Sequence, residues 1–256
     1  SALDARDGLG IDADALRDAP VYRIVSPDLG TNLGRTLPSA KNVGDMVGGV
    51  AILLDKLAQA GFRLAILAVG YRHEAIRNYF GETHGALSLR YSVESSPLGT
   101  GGAMRLALQQ SSAPDVFVVN GDTYLAMDYQ AMLAAHLAAG AALTVAVRDV
   151  PDAARYGALE IANGRIRGFI EKGRTGPGKI NAGSYLMKRG LLARHGLAEA
   201  FSFETDLLMA HIRELEPLAF ETRGDFIDIG IPEDYARAQE LLVSLAGSKI
   251  PGHGPS

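Results

Sequence analysis

The sequence of 256 residues contains no cysteine, which excludes disulfides, thiolate zinc sites and a cysteine nucleophile. A reducing compartment fits this composition, so we predict a cytoplasmic location. The chain also lacks a strong charge of either sign, because 25 Lys and Arg face 29 Asp and Glu. A net charge of −4 gives no general attraction to nucleic acid or to an anionic membrane, and we expect neither as a partner. An anionic ligand must therefore be met by locally placed cations.

Long hydrophobic runs and several familiar motifs are also missing. The uncharged run 131–147 is shorter than a membrane helix of about 20 residues, and Gly140 interrupts it. Residues 1–20 begin with acidic residues and lack the basic start and apolar stretch of a secretion signal. The P-loop, nucleophile-elbow, zinc-protease and dinucleotide-binding fingerprints are absent. These absences argue against a P-loop ATPase, an α/β-hydrolase and a dinucleotide-binding dehydrogenase.

What is present is an alternation of helical and strand-like apolar spacing over the first 150 residues. It predicts strands at 63–69, 87–93, 115–120 and 142–150, separated by helices at 50–57, 73–80, 102–110 and 129–139. Strands separated by helices of this length indicate an α/β fold with a mostly parallel, mixed sheet and helices on both faces.

After residue 150 the pattern changes to shorter strands, predicted at 157–161, 165–172, 180–188 and 218–223. Asn163 and Gly164 predict a two-residue hairpin turn, because both residues readily adopt positive φ angles. We predict one continuous domain over 21–245, which ends in a helix from Pro232 to about Leu245. An N-terminal extension (1–20) and a flexible tail (246–256) would flank it.

Three segments place polar residues after predicted strands, where ligands bind in open α/β sheets. They are the loop 26–35, "PLGTGGA" (97–103) and "VVNGDTY" (118–124). The glycines of 97–103 would let backbone amides and a helix N-terminus approach a base or phosphate, although such loops are often only tight turns. Asp122, directly after an apolar strand, is either a ligand or a turn and capping residue.

A second carboxylate, Asp228, lies between Ile227 and Ile229. A carboxylate at a strand position needs a metal, a cation or a helix end as its partner, and a structural salt bridge is one alternative. Two such aspartates without a histidine or cysteine cluster suit Mg²⁺ held between phosphate oxygens. The pair Glu171 and Lys172 could bind sugar hydroxyls and a phosphate, or lie on a solvated surface.

Seven segments along the chain carry a family resemblance. They are "LGTGGAMRLAL" (98–108), "DVFVVNGDTY" (115–124), "RYGALEI" (155–161), "GFIEKG" (168–173), "INAGSYLMKR" (180–189), "FSFETDLL" (201–208) and "FIDIGIPEDYARAQ" (226–239). Taken in order, these segments resemble the sugar-1-phosphate nucleotidyltransferases, and most of all the D-glycero-α-D-manno-heptose 1-phosphate guanylyltransferase branch. The resemblance runs from Val21 to about Leu242.

The resemblance implies a Rossmann-like nucleotidyltransferase fold and transfer of a nucleotidyl group, GMP from GTP, to a sugar 1-phosphate for surface glycan synthesis. Asp122 and Asp228 would hold Mg²⁺, and Lys172 would be the third catalytic residue, reaching the sugar phosphate. Nucleotide binding would involve Leu29, Gly30, Thr31, Glu94, Gly101, Gly102 and Asp122. Sugar binding would involve Gly157, Glu171, Lys172 and Asn181. These residues fix neither the base nor the sugar, and a homo-oligomeric state also stays open.

The loop "VSPDLGTNLGR" (25–35) departs from the family pattern, which resembles G-G-x-G-T-R-L followed by a Pro-Lys pair. Pro27 and Asp28 replace the paired glycines, and Asn32 replaces the arginine. Ser39 stands where a lysine should follow the proline. Proline has no N–H to donate, and an aspartate places negative charge toward phosphates.

Loss of one such donor costs about 2.7–4 kcal/mol of transition-state stabilisation. Three explanations follow from these departures. The enzyme is active with Arg35 or Lys41 as substitute cations, or it is a catalytically silent sugar-nucleotide-binding or regulatory homologue, or the residues before about 50 differ from the natural ones. An active relative that uses UTP or another sugar is a further alternative. The intact second half favours an active enzyme.

Overall fold

A computed structural model describes residues 21–24, 43–70, 73–170, 173 and 175–228. The strands are β1 (Val21–Ile24), β2 (Leu64–Val69), β3 (Thr83–His84), β4 (Leu87–Val93), β5 (Asp115–Asn120), β6 (Thr123–Leu125), β7 (Leu143–Val150), β8 (Ala158–Ala162), β9 (Arg165–Ile170), β10 (Gly178–Lys188), β11 (Leu218–Thr222) and β12 (Phe226–Asp228). The α-helices are α1 (Val43–Gln59), α2 (His73–Phe80), α3 (Gly99–Leu108), α4 (Tyr129–Ala138) and α5 (Ile212–Leu215). A 3₁₀ turn (Leu191–Ala193) and a π-helix (Phe203–Met209) lie between β10 and α5.

Ten strands form one sheet in the order β3-β4-β2-β1-β5-β10-β7-β11-β9-β8. The neighbours β4, β2, β1 and β5 are parallel, as the predicted strand–helix alternation requires. β10 then lies antiparallel between β5 and β7. The predicted mixed sheet is confirmed, and its parallel pairs are concentrated in the N-terminal half.

The sheet is covered on both faces, because successive side chains of a strand point to opposite sides. In β5, Phe117 and Val119 enter a core with α1, α2 and α4, whereas Val116 and Val118 enter a core with α3 and the π-helix. The first core contains an aromatic cluster of Phe62, Phe117 and Tyr129, with ring centroids 5.2–5.5 Å apart. β5 is therefore buried on both faces, and this packing holds its C-terminal end in place.

The predicted hairpin is confirmed. Asn163 and Gly164 have φ angles of 52° and 71°, and Ala162 pairs with Arg165 across the turn. β5 has the predicted bounds. The closing helix expected from Pro232 and both chain ends fall outside the described residues. Within the described part of the chain, no helix is long and apolar enough to cross a membrane.

The helix that carries the glycines of 97–103 begins earlier than predicted. The segment 97–103 was expected to be a loop before a helix at 102–110, but α3 begins at Gly99 and ends at Leu108. Its glycines are therefore helical residues of the first turn. Their low helix propensity is tolerated because another segment packs against this turn, as the site geometry shows.

Candidate functional site

The two predicted metal ligands lie at the short two-stranded sheet of β6 and β12, and we call this region the aspartate edge. Asp122 stands between β5 and β6, and its carboxylate Oδ1 accepts a hydrogen bond of 3.3 Å from the hydroxyl of Thr123. The small sheet pairs β12 with β6 antiparallel, and Asp228 is opposite Thr123. Paired residues of antiparallel strands have Cα atoms about 4.5–5.5 Å apart. The backbone therefore brings Asp228 next to the residue that follows Asp122.

Two further contacts hold β12 in this position. The Ala126 N–H donates to the carbonyl of Asp225 at 2.8 Å, and the Arg148 guanidinium donates to the carbonyl of Gly224. A Cβ atom at Gly224 would lie 1.8 Å from the Ala126 carbonyl oxygen, so only glycine fits this crossing. The approach of Asp228 to Asp122 thus depends on a backbone contact just upstream.

β10 contributes an irregular segment to the same edge. Its register with β7 shifts between Asn181 and Tyr185, and Gly183 in the bulge has a φ of 70°. A Cβ at Gly183 would lie 3.0 Å from the Asn120 amide nitrogen and 3.2 Å from the Thr123 hydroxyl oxygen. Glycine is required here both for the left-handed backbone and for the close approach. The bulge therefore places "NAGSY" against "NGDTY".

Asn181, predicted to bind the sugar, belongs to a hydrogen-bonded network beside the bulge. Its Nδ2 donates to the Tyr185 hydroxyl at 2.7 Å and to Glu204 Oε1 at 3.2 Å, and its Oδ1 accepts from the Gly183 N–H at 3.0 Å. The Tyr185 hydroxyl donates to the same Glu204 oxygen at 3.0 Å. The Asn181 side chain is thus oriented from three sides.

Tyr185 extends this network toward Asp122. Its side chain is buried, and burial raises the pKa of its hydroxyl well above the ordinary value. The Glu204 carboxylate raises this pKa further, and the Asp122 carboxylate acts in the same direction. Tyr185 therefore remains a proton donor at neutral pH, and Asp122 is close enough to act on it. Asp122 thus lies in the electrostatic neighbourhood of the hydrogen-bonded network of Asn181, Tyr185 and Glu204.

Glu94, predicted near the base, follows β4 and holds the chain before α3. Its Oε2 accepts a hydrogen bond of 3.2 Å from the Leu98 N–H. Glu94 also lines a crevice with Ala68, Val69, Ser92, Ala103 and Leu106. Within the described part of the chain the Ser92 Oγ is buried without a hydrogen-bond partner. The crevice is too narrow to admit a water molecule, so binding of a base here requires it to open.

Gly101 and Gly102 have a packing role in the structure. A Cβ at Gly101 would lie 2.0 Å from the Phe201 ring, and one at Gly102 would lie 2.6 Å from the Glu199 carbonyl oxygen. Their N–H groups donate to the Phe201 carbonyl at 2.9 and 3.4 Å. Arg105 fixes the same segment by donating to the carbonyls of Leu197, Ala198 and Glu199. Contact of the two glycines with a base stays a prediction.

Gly157, predicted to meet the sugar through its backbone, precedes β8 with a φ of 80°. Its N–H donates to the Ala153 carbonyl at 3.0 Å. The ring of the preceding Tyr156 packs edge-on against Phe226 of β12, with centroids 5.9 Å apart. Phe226 lies two residues before Asp228, so the structure places Gly157 near the aspartate edge.

The remaining predicted site residues lie outside the described part of the chain. They are Leu29, Gly30, Thr31, Glu171 and Lys172. β9 ends at Ile170, directly before Glu171, and Ile170 pairs with Ala158 beside Gly157. The end of β9, which leads into Glu171 and Lys172, thus runs alongside Gly157, the predicted backbone contact of the sugar.

Sequence reasoning missed Glu204 as a site residue. The segment "FSFETDLL" resembles the family, but nothing in its spacing sets Glu204 apart from its acidic neighbours. Glu204 lies in the first turn of the π-helix, which Ser202 caps by accepting from the Thr205 N–H at 3.2 Å. π-helical turns occur frequently at functional sites, but their formation is not visible in a sequence pattern.

Comparison with known proteins identifies the family of this chain. Residues 40–244 match the nucleotidyl transferase family. The chain belongs to this family. A D-glycero-α-D-manno-heptose 1-phosphate guanylyltransferase of Aneurinibacillus thermoaerophilus is 38% identical over 186 residues, which are 73% of this chain and 81% of that protein. One of the same description from Campylobacter jejuni is 33% identical over 72% of this chain and 80% of the relative.

Structural comparison agrees with the family membership. The crystal structure of HddC from Yersinia pseudotuberculosis complexed with GMP-PN matches with a TM-score of 0.73 and 28% identity, covering 87% of this chain and 99% of that one. The predicted nucleotidyltransferase fold is therefore confirmed. Members of this family generally use a divalent metal.

Proposed function

We propose that this nucleotidyl transferase moves GMP from GTP to D-glycero-α-D-manno-heptose 1-phosphate, releasing pyrophosphate. The observation that carries the proposal is the β6–β12 pairing, which brings Asp122 and Asp228 together from distant parts of the chain. The names of the two bacterial relatives supply the substrate class. We propose the product as a precursor of surface glycans.

The donor set at this edge fits a hard cation. Carboxylate oxygens are the ligands that Mg²⁺ prefers, and we propose that Asp122 and Asp228 hold it. When bound, the ion neutralises charge on the triphosphate oxygens. In the reaction an oxygen of the sugar phosphate forms a bond to the α-phosphorus of GTP, and the bond to the β-phosphate oxygen breaks. The sugar phosphate is itself the nucleophile, so the protein has to orient two anions more than to remove a proton.

The network around Asn181 supports a sugar subsite next to the aspartates. Asn181 is oriented by Tyr185 and by the Gly183 amide, and Glu204 adds an exposed carboxylate that can accept hydroxyl hydrogens. We propose Gly157 and Glu171 as further sugar contacts and Lys172 as the cation for the sugar phosphate. Glu94, Gly101 and Gly102 would bind the base, and Leu29, Gly30 and Thr31 the triphosphate.

A second candidate is a catalytically silent binder, and the altered loop 25–35 favours it. Pro27, Asp28 and Asn32 remove donors and a cation that resemblance to the family would place at the triphosphate. Such a protein would bind GDP-heptose without releasing pyrophosphate.

The test is pyrophosphate release with Mg²⁺ and GTP, using heptose 1-phosphate and mannose 1-phosphate in parallel. We expect turnover selective for heptose 1-phosphate. Asp122→Asn and Asp228→Asn should each lower kcat by about 10²–10³-fold, because each removes a charge that acts on the transition state. Asp128→Asn is the matched control: Asp128 caps α4, an asparagine caps equally well, and the rate should not change.

Three results separate the alternatives. Unchanged turnover in both aspartate variants would refute the metal assignment. A folded wild type that binds GDP-heptose without turnover would establish the silent binder. Preference for mannose 1-phosphate would support nucleotidyl transfer as the reaction but would show that the sugar substrate is mannose 1-phosphate.

A further inference from the structure

A cluster of two histidines and a glutamate lies outside the proposed site. His195 follows the 3₁₀ turn, His211 immediately precedes α5, and Glu214 is on α5. Nδ1 of His211 lies 3.3 Å from one Glu214 carboxylate oxygen, and Nδ1 of His195 lies 3.9 Å from the other. The two imidazole rings have centroids 4.7 Å apart. One ligand atom from each of the three residues can be chosen so that all lie within 4.8 Å of one another.

We propose that His195, His211 and Glu214 bind a divalent transition-metal ion of the zinc class. Two imidazoles and one carboxylate, with an open fourth position, form a common Zn²⁺ donor set. Bond lengths of about 2.0–2.2 Å place neighbouring donors of a tetrahedral site roughly 3.4 Å apart. The present spacing is within about 1.5 Å of that value, a distance that side-chain rotation can close.

Burial gives the cluster a fixed side and an open side. The His195 side chain is 6% exposed, whereas those of His211 and Glu214 are 32% and 69% exposed. One ligand is therefore held by the protein interior, and the other two can adjust around an ion that arrives from solvent. The open side also leaves room for a water molecule as the fourth ligand.

This site is distinct from the aspartate edge. β10 runs from Asn181 in the proposed sugar subsite to Lys188, which pairs with Asp115 at the opposite end of β5. The 3₁₀ turn and His195 follow this far end of β10. The two sites also differ in chemistry, because nitrogen donors select zinc-class ions and Mg²⁺ prefers oxygen. A bound ion would fasten the chain after β10 to the start of α5.

The experiment is a titration of the tag-free full chain with Zn²⁺ at pH 7.5, in saturating Mg²⁺ and with a chromophoric chelator as competitor. We expect one Zn²⁺ per chain, a higher thermal midpoint with Zn²⁺, and at least tenfold weaker binding in His211→Ala and in Glu214→Gln. His84→Ala is the matched control: His84 Nε2 lies 2.7 Å from the Asp55 carboxylate, a pair with only two donors, and its loss should leave the affinity unchanged.

His211→Ala removes a partly exposed side chain, and its thermal midpoint without Zn²⁺ checks that it is folded. The absence of saturable Zn²⁺ binding in the wild type would overturn the proposal. Equal Zn²⁺ affinity in folded His211→Ala and wild type would overturn it as well, as would displacement of Zn²⁺ by millimolar Mg²⁺. None of these results depends on nucleotidyl transfer.

Discussion

Two glycine-bearing regions of this protein look alike as sequence and differ as structure. In "PLGTGGA" the glycines of α3 lie against the segment Glu199–Phe201, and the amides of Gly101 and Gly102 are already bonded to the Phe201 carbonyl. In "NAGSY" a single glycine with positive φ lies against Asn120 and Thr123, next to Asp122. In one region glycine allows two parts of the chain to pack; in the other it shapes the wall of the site.

The difference shows what a glycine pattern does and does not reveal. It indicates that something approaches the backbone closely, but not whether the neighbour is protein or ligand. The aspartates are more informative, because Asp122 and Asp228 are far apart in sequence and converge only through β6 and β12.

The largest effect on stability is expected for Gly101→Ala. Its methyl group would lie within the Phe201 ring contact, and overpacking of this kind costs about 1–3 kcal/mol of unfolding free energy. Urea unfolding measures the loss. Gly190→Ala is the matched control, because Gly190 has a φ of −78° and no neighbour within 4 Å of the added Cβ.

A double-mutant cycle tests whether contact with Phe201 causes the loss of stability in Gly101→Ala. If Phe201 is the obstacle, Gly101→Ala in the Phe201→Leu background should cost at least about 1 kcal/mol less than in the wild type. A variant that keeps its stability but needs more GTP would show instead that Gly101 faces the nucleotide.

Glu204→Ala should raise the KM for the sugar 1-phosphate about tenfold, which is about 1.4 kcal/mol, with a smaller change in kcat. The substitution leaves Asn181 and the Tyr185 hydroxyl without their shared acceptor. Glu204→Gln retains an acceptor oxygen and should restore most of the binding. Glu199→Ala alters an exposed neighbour and serves as the control. A KM that stays constant in Glu204→Ala would remove Glu204 from the subsite.

The smallest effect concerns His136, which supports the fold away from the site. It is buried between the Thr144 hydroxyl at 2.7 Å and the Asp115 carboxylate at 3.3 Å. Burial lowers the pKa of His136, against the opposing influence of Asp115. The unfolded chain, with an ordinary histidine pKa of about 6.5, therefore binds this proton more readily than the folded one.

It follows that the contribution of His136 to stability is complete above about pH 6.5 and is lost as the pH falls below that value. One such proton accounts for at most about 1.4 kcal/mol per pH unit. Urea unfolding at pH 7.5 and 5.5 should show a larger loss for the wild type than for His136→Gln. Equal losses of unfolding free energy in the two proteins would mean that His136 does not contribute to the pH dependence of stability.

The parts of the fold predicted from sequence are those with strong local signals. β5 is a continuous apolar run between polar residues, and the Asn163–Gly164 turn follows from the φ preferences of two residues. β6 and β12, at three residues each, are too short to show any period, and they exist because they pair with each other. The convergence of the aspartates was therefore implied by resemblance and became visible only in three dimensions.

The same reason explains the residues that were missed. Glu204 reaches Asn181 across 23 positions of sequence through a π-helical turn. His195 and His211 are also distant in sequence, yet their imidazole rings lie with centroids 4.7 Å apart. Contacts of this kind are set by packing, which a single sequence does not display.

The position of β10 has a consequence for synthesis of the chain. Residues 178–188 form both the antiparallel partner of β5 and the bulge beside Asn120. Until this strand has left the ribosome, β5 has an open edge in the middle of the future sheet, and such edges invite pairing with other chains. Insertion of β10 closes that edge and completes the wall of the site in one step. The pairing of β10 with β5 therefore both protects the chain from aggregation and completes the proposed site.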